Sequence, residues 1–245
     1  MRNIKLTIEY DGKDFNGWQK QPDKLNIQGT IEKAIEAVTG EVTELNASGR
    51  TDAGVHAIGQ VANFKTSSKI PIEKIPIALN SNLKKSIRII SAEEVDERFH
   101  SRLTCKRKTY RYVINNSEYG TAIYRNLQYC FPIKLDAEKM KEAAKYFEGE
   151  HDFKAFKSSG TSGKNSVRTI YKAEVRKEGD NIIIELTGNG FLYNMVRIIS
   201  GTLLDVGLGK IKPEEIPEII ESKDRQRAGR TLPAHGLYLV QVVYN

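Results

Sequence analysis

Asn3-Ile4-Lys5-Leu6-Thr7-Ile8-Glu9-Tyr10 sets Ile4, Leu6, Ile8 and Tyr10 on one side and Lys5, Thr7 and Glu9 on the other. A period of two is that of a strand with one buried face. The period then changes. Beyond a loop rich in Gly, Asp and Lys, Ile31, Ala34, Ile35 and Val38 recur at helical spacing from Gln28 onward, and Gly40 stands where a helix stops. A half-buried strand followed by an amphipathic helix marks an α+β unit. The residues after it continue the pattern: a short strand at 42–46, a polar loop at 48–56, an apolar run at 58–64, a short helix punctuated by Pro71 and Pro76 and ending near Leu83, and a strand at 87–95.

The second half repeats this style rather than this sequence. A strand is expected at 110–114, then a helix at 135–147 opened by Asp136 as N-cap, with Met140, Ala143, Ala144 and Phe147 on one face. Strands at 170–176 and 181–187 flank Glu178-Gly179-Asp180, a hairpin signal. An apolar helix at 191–206, a shorter helix begun by Pro213 and a strand at 237–244 complete the chain. Two α+β halves, 1–104 and 105–245, are expected, with no low-complexity linker between them. They share one continuous sheet or a tight interface, and a cleft between such halves favours a ligand.

Composition narrows the function. With 39% hydrophobic and 28% charged among 245 residues, the chain has the apolar surface for a core, which argues against wholesale disorder. No run approaches the roughly 18 apolar residues of a membrane span, and the chain enters its first strand without a signal peptide's apolar stretch, so the expected compartment is the cytoplasm. Cys105 and Cys130 form no CxxC, and His56, His100, His151 and His235 form no i, i+4 pair. Residues 158–165 look like a phosphate loop, but Ser158 stands where a Gly is needed and Asn165 where Ser or Thr is needed; Gly188-Asn189-Gly190-Phe191 lacks a third glycine. No metal and no nucleotide cofactor is expected.

The formal charge of +7, from 38 Lys+Arg against 31 Asp+Glu, points to an anionic partner, nucleic acid or anionic lipid. Its densest part runs through Arg98, Arg102, Lys106, Arg107, Lys108 and Arg111 with no acid among them, interleaved with Phe99, Tyr110 and Tyr112. Cations beside stacking aromatics are the footprint of RNA recognition; a solvated strand face over core aromatics is the plainer reading. Lys223, Arg225, Arg227 and Arg230 form a second cluster, and the basic loop 154–168, with Lys164 and Arg168, is placed to close on RNA. Two further oddities carry chemistry. In Gly49-Arg50-Thr51-Asp52-Ala53-Gly54, Asp52 either bonds its own turn or is a nucleophile or base kept ionised by a cation. Arg197 interrupts an apolar helix, so it either extends along its own stem to water or pairs with a buried acid such as Asp52.

Together these segments resemble the tRNA pseudouridine synthase A family over nearly the whole chain. Tyr10-Asp11-Gly12, Phe15 and Gly17-Trp18-Gln19 are similar to its N-terminal signature, residues 49–57 to its catalytic loop, and Lys108-Thr109-Tyr110-Arg111-Tyr112 to its tyrosine motif. Residues 191–197 are similar to its arginine helix and Ala234-His235-Gly236-Leu237 to its C-terminal signature. The resemblance implies the pseudouridine synthase fold, a mixed and mainly antiparallel sheet shared by two α+β halves with a central active-site cleft. It implies isomerisation of uridine to pseudouridine at nucleotides 38, 39 and 40 of the tRNA anticodon stem-loop, by a homodimer without cofactor. Asp52 would be the nucleophile, Tyr110 would pack on the target base, Arg197 would pair with Asp52, and Arg50 would fill the space left by the flipped nucleotide. Arg102, Lys106, Lys108, Arg111, Lys164 and Arg168 are the expected RNA contacts. Three positions depart from the family's pattern: Asn194 where His is common, and Arg230 and Leu232 where Pro and Ala are usual. The rival readings are a non-catalytic RNA-binding or ribosome-assembly protein and a pseudouridine synthase acting at other RNA positions.

Overall fold

A computed structural model describes residues 1–159 and 165–244, so Lys164 lies outside the described residues. The chain forms two compact units, Met1–Lys106 with Tyr238–Asn245, and Arg107–Leu237. Each is α+β and built on mostly antiparallel strands.

In the first unit, β1 (Arg2–Tyr10) pairs antiparallel with both β3 (His56–Thr66) and β4 (Ile87–Val95). Its alternation has the expected result: Ile4, Leu6, Ile8 and Tyr10 are buried. Helix α1 (Ile27–Thr39) buries Ile27, Ile31, Ala34 and Ile35. It starts where the Asn26 side chain accepts from the Gly29 N–H at 2.8 Å and stops at Gly40, whose φ of 74° only glycine adopts freely. A second helix, α2 (Ile75–Asn82), has proline in its first turn. The strand expected at 42–46 is only β2 (Asn46–Ala47), paired with β3. Residues before it are held by side chains instead of a ladder: Thr43 Oγ1 donates to the Lys65 carbonyl at 3.1 Å, and Glu41 accepts from Thr66 Oγ1 at 2.6 Å. The last strand, β10 (Leu237–Val243), runs parallel to β3 with Tyr238 opposite His56.

In the second unit the antiparallel order is β5 (Arg107–Asn115), β9 (Asn181–Gly188), β8 (Val167–Glu178) and β7 (Gly149–Asp152), with β6 (Tyr129–Cys130) parallel to β5. Helix α3 (Ala137–Ala144), capped by Asp136 as expected, continues as a 3-10 turn through Phe147, and its Met140, Ala143 and Ala144 are buried with Phe147. Pro213 opens a 3-10 turn that leads into α5 (Ile216–Ser222). The helix expected at 191–206 is α4 (Met195–Gly207), which begins later because Asn194 takes a left-handed φ of 60°. Apolar residues before it serve packing rather than the helix: the Phe191 ring sits edge-on to Tyr110 at 5.1 Å. No helix among the described residues is long and apolar enough to cross a membrane.

Candidate active site

In the first unit the polar loop at residues 48–56 is fastened along its backbone. Ser48 N–H donates to the Val61 carbonyl at 2.8 Å, and Gln60, buried on β3, donates from Nε2 to the Gly49 carbonyl at 3.0 Å. The Thr51 carbonyl accepts from Trp18 N–H at 3.0 Å, its hydroxyl lies 2.7 Å from the Tyr10 phenol oxygen, and Gly54 N–H donates to the Phe15 carbonyl at 3.3 Å. The Val55 N–H closes the turn on the Asp52 carbonyl at 3.1 Å. Burial pushes the Tyr10 phenol well above its usual range, so it stays neutral beside the loop. Two glycines make this packing possible. A Cβ on Gly12 would lie 1.9 Å from the Val55 carbonyl oxygen, and one on Gly17, whose φ is 82°, would lie 2.6 Å from the Thr51 carbonyl oxygen. His56, buried at the loop's end, accepts at Nδ1 from the Gly12 N–H at 3.0 Å and stacks on Tyr238 at 5.0 Å. Asp11 Oδ1 lies 3.1 Å from the same nitrogen, so a proton there would be shared with the carboxylate and would cost the Gly12 bond. On this fixed backbone Arg50 is exposed and Asp52 half-buried.

In the second unit Tyr110 is buried on β5, opposite Leu186 and against Phe191. Arg197 lies in the first turn of α4 and is held from two sides, Nε donating to the Leu232 carbonyl at 2.6 Å and Nη1 to Asn194 Oδ1 at 2.8 Å. The segment that supplies Leu232 is pressed onto the helix, since a Cβ on Gly201 would lie 1.9 Å from the Arg230 carbonyl oxygen. Gly229 N–H donates to Thr202 Oγ1 at 2.9 Å, and the Tyr112 phenol donates to the Pro233 carbonyl at 2.8 Å. Burial pushes that phenol up, partly opposed by the Arg197 charge.

A family model described as tRNA pseudouridine synthase matches residues 6–103 and 143–245, which include the fastened loop, the β3 strand that follows it and the arginine helix. The chain belongs to the tRNA pseudouridine synthase family. It is an isomerase that converts uridine to pseudouridine in tRNA. Proteins named tRNA pseudouridine synthase A are 56% identical in Caldicellulosiruptor bescii, 57% in Caldicellulosiruptor saccharolyticus and 54% in Acetivibrio thermocellus, each over 244 residues and 100% of both chains.

The cations of this tRNA pseudouridine synthase are not equally placed for RNA. Arg102, Lys106 and Arg107 are exposed. Arg111 is held by Glu185 at 3.0 Å, and Glu185 is shared with Arg176; burial raises this carboxyl, but the two guanidinium groups outweigh it and hold it below the usual range. In the second cluster Lys223 pairs with Asp152 at 3.0 Å and Arg227 with Glu218 at 3.5 Å, Arg225 braces the Ala228 and Gly229 carbonyls, and Arg230 lies 5.6 Å from the Phe131 ring centre. Arg168, half-buried, donates to the backbone carbonyls of Asn165 and Val167, and burial lowers its pKa. Residues that sequence reasoning passed over are those behind the loop. In sequence Tyr10 reads as a buried-face position of β1 and Trp18 as part of a resembling signature, and Gln60 is one of two amides, with Asn63, inside the apolar run 58–64. In sequence Asn194 is a departure from the family's pattern; its bond to Arg197 comes from the left-handed turn that opens α4.

Proposed function

We propose that the enzyme modifies nucleotides 38, 39 and 40 of the tRNA anticodon stem-loop, in the cytoplasm and as a homodimer, with Asp52 as nucleophile. The observation that supports Asp52 as nucleophile is the loop at 48–56, whose main chain is bonded at Ser48, Gly49, Thr51, Gly54 and Val55 while Arg50 and Asp52 keep solvent access; the substrate positions, compartment and homodimer follow from the family resemblance. A backbone held by these bonds favours one geometry for the carboxylate, which is what attack on a bound sugar or promotion of glycal formation requires. The target base leaves the stack first, at a cost of about a few kcal/mol, and Tyr110 packing on it with Arg50 filling its place offsets that cost. Arg197 is the cation that keeps the carboxylate ionised. As the Asp52 carboxylate bonds C1′ the N1–C1′ bond breaks; C5 of the turned uracil then bonds C1′ and displaces the carboxylate, C5 loses its proton and N1 gains one, while on the glycal route C2′ gives up a proton and recovers it as C5 adds to C1′. Nothing is oxidised and no group is lost, so the chemistry asks for no redox cofactor.

Nucleotide-resolution mapping of bulk tRNA treated with the purified protein tests this directly. Pseudouridine should appear at 38, 39 and 40; its appearance only elsewhere would replace the anticodon reading with that of a synthase for other positions, and its absence would favour an RNA-binding role. The exposed Arg102 and Lys106, with Lys108, Arg111, Lys164 and Arg168, are the six proposed phosphate contacts. If about six phosphates are neutralised, tRNA affinity should fall by about 10³ between 50 and 200 mM salt. A flat dependence in filter binding would remove the charge from recognition.

A further inference from the structure

Asn194 stands at the turn that opens α4 with φ of 60°, a conformation that glycine takes freely and asparagine tolerates better than most residues. Glycine would relax the turn, yet a side chain is present, and both ends of its amide are occupied. Oδ1 accepts from Arg197 Nη1 at 2.8 Å, and Nδ2 donates to Ser158 Oγ at 3.0 Å. A guanidinium can only donate, so the oxygen must face Arg197, and the nitrogen then faces the hydroxyl. A second bond joins the same two segments, from Ser158 N–H to the Tyr193 carbonyl at 3.2 Å. On its other side Arg197 Nε donates to the Leu232 carbonyl at 2.6 Å. Acceptors at two different nitrogens set the plane of a guanidinium where one would leave it free to rotate about its stem.

We propose that Asn194 is a positioning residue for the isomerisation. Its amide holds the Arg197 guanidinium at the angle that catalysis needs and ties that angle to Ser158, in the segment that follows the 3-10 turn Phe153–Phe156. The inference rests on the reading of Arg197 as the cation serving the Asp52 carboxylate. It adds that the arginine is aimed by a neighbour and not by its own stem. An amide suits this task because it takes the guanidinium's hydrogen bond without taking its charge, which a carboxylate at the same place would do.

A double-mutant cycle in single-turnover reactions on tRNA tests it with Asn194→Gly, Arg197→Lys and the pair. Glycine keeps the left-handed backbone and removes only the amide. Asn194→Gly is expected to slow the rate constant roughly 10-fold with tRNA affinity within about two-fold, the split that misaimed catalysis gives and general loosening does not. Arg197→Lys should be slower still, and the pair no slower than Arg197→Lys alone. If Arg197→Lys keeps the wild-type rate, the role given to Arg197 falls and Asn194 with it. If Arg197→Lys is slow while Asn194→Gly is not, or if the two effects multiply, the positioning role alone is overturned. Should the glycine variant unfold, Ser158→Ala removes only the distal hydroxyl and is expected to slow the reaction about two-fold; an unchanged rate there would overturn the link.

Discussion

Asp52→Asn should abolish pseudouridine formation while leaving tRNA affinity within a few-fold. The amide has almost the volume and shape of the carboxylate, and the bonds that shape this loop are made by its main chain, by Thr51 and by Gln60, not by the Asp52 oxygens alone. What changes is the charge, and a neutral amide neither attacks C1′ nor stabilises positive charge developing on the sugar. A drop of at least about 10⁴ in the single-turnover rate is expected from loss of a nucleophile. Release of tritium from C5-labelled uridine in tRNA reads the chemistry, and filter binding reads affinity. Turnover persisting near the wild-type rate would take Asp52 out of the mechanism.

The second large effect is expected at a residue with no side chain. Gly12→Ala places a methyl group 1.9 Å from the Val55 carbonyl oxygen, three residues beyond Asp52. The obstacle is main chain and cannot turn aside as a flexible side chain would, so either the segment after β1 that carries Gly12 or the loop must shift. The Gly12 N–H bond to His56 Nδ1 shifts with it. Overpacking of this kind costs about 1–3 kcal/mol, and the loss should appear as a lower denaturation midpoint with an unchanged slope. Activity measured where the variant is still folded should fall as well, because the displaced loop carries Arg50 and Asp52. A stability change within about 0.5 kcal/mol would show that the close approach does not constrain the molecule.

Local order was the legible part of this protein. Strand β1 and helix α1 follow from residue periods and from Asn26 and Gly40 at the helix ends, each a matter of neighbours within a few positions. Where the same apolar pattern served a different purpose, reading failed. Phe191 continues the α4 stripe in sequence yet packs on Tyr110 before the helix begins, and no period distinguishes the two. Charge was legible as a sum and not as a set of pairs. Arg111 belongs to the basic stretch in sequence, but its partner Glu185 is 74 residues away on the neighbouring strand, and only the β5–β9 register brings them together. Arg50 and Asp52 stand out in sequence because they lie two positions apart in one polar loop. The clamps that give it a fixed geometry come from Tyr10, Phe15 and Trp18, far upstream, so only a resemblance could single them out.

The strand that lies beside the start of β3 comes from the far end of the chain. Tyr238 faces His56, and Gly59 admits the Val240 carbonyl so closely that a Cβ there would lie 2.4 Å from its oxygen. On the ribosome, therefore, the first unit has its aspartate loop long before it has the strand that seals that loop's neighbour. The entire second unit must be synthesised in between, some seconds of elongation at about 5–20 residues per second. A nascent chain cannot complete the unit bearing Asp52 until the portion bearing Tyr110 and Arg197 has been made, so closure of the first unit's sheet waits on synthesis of the whole second unit.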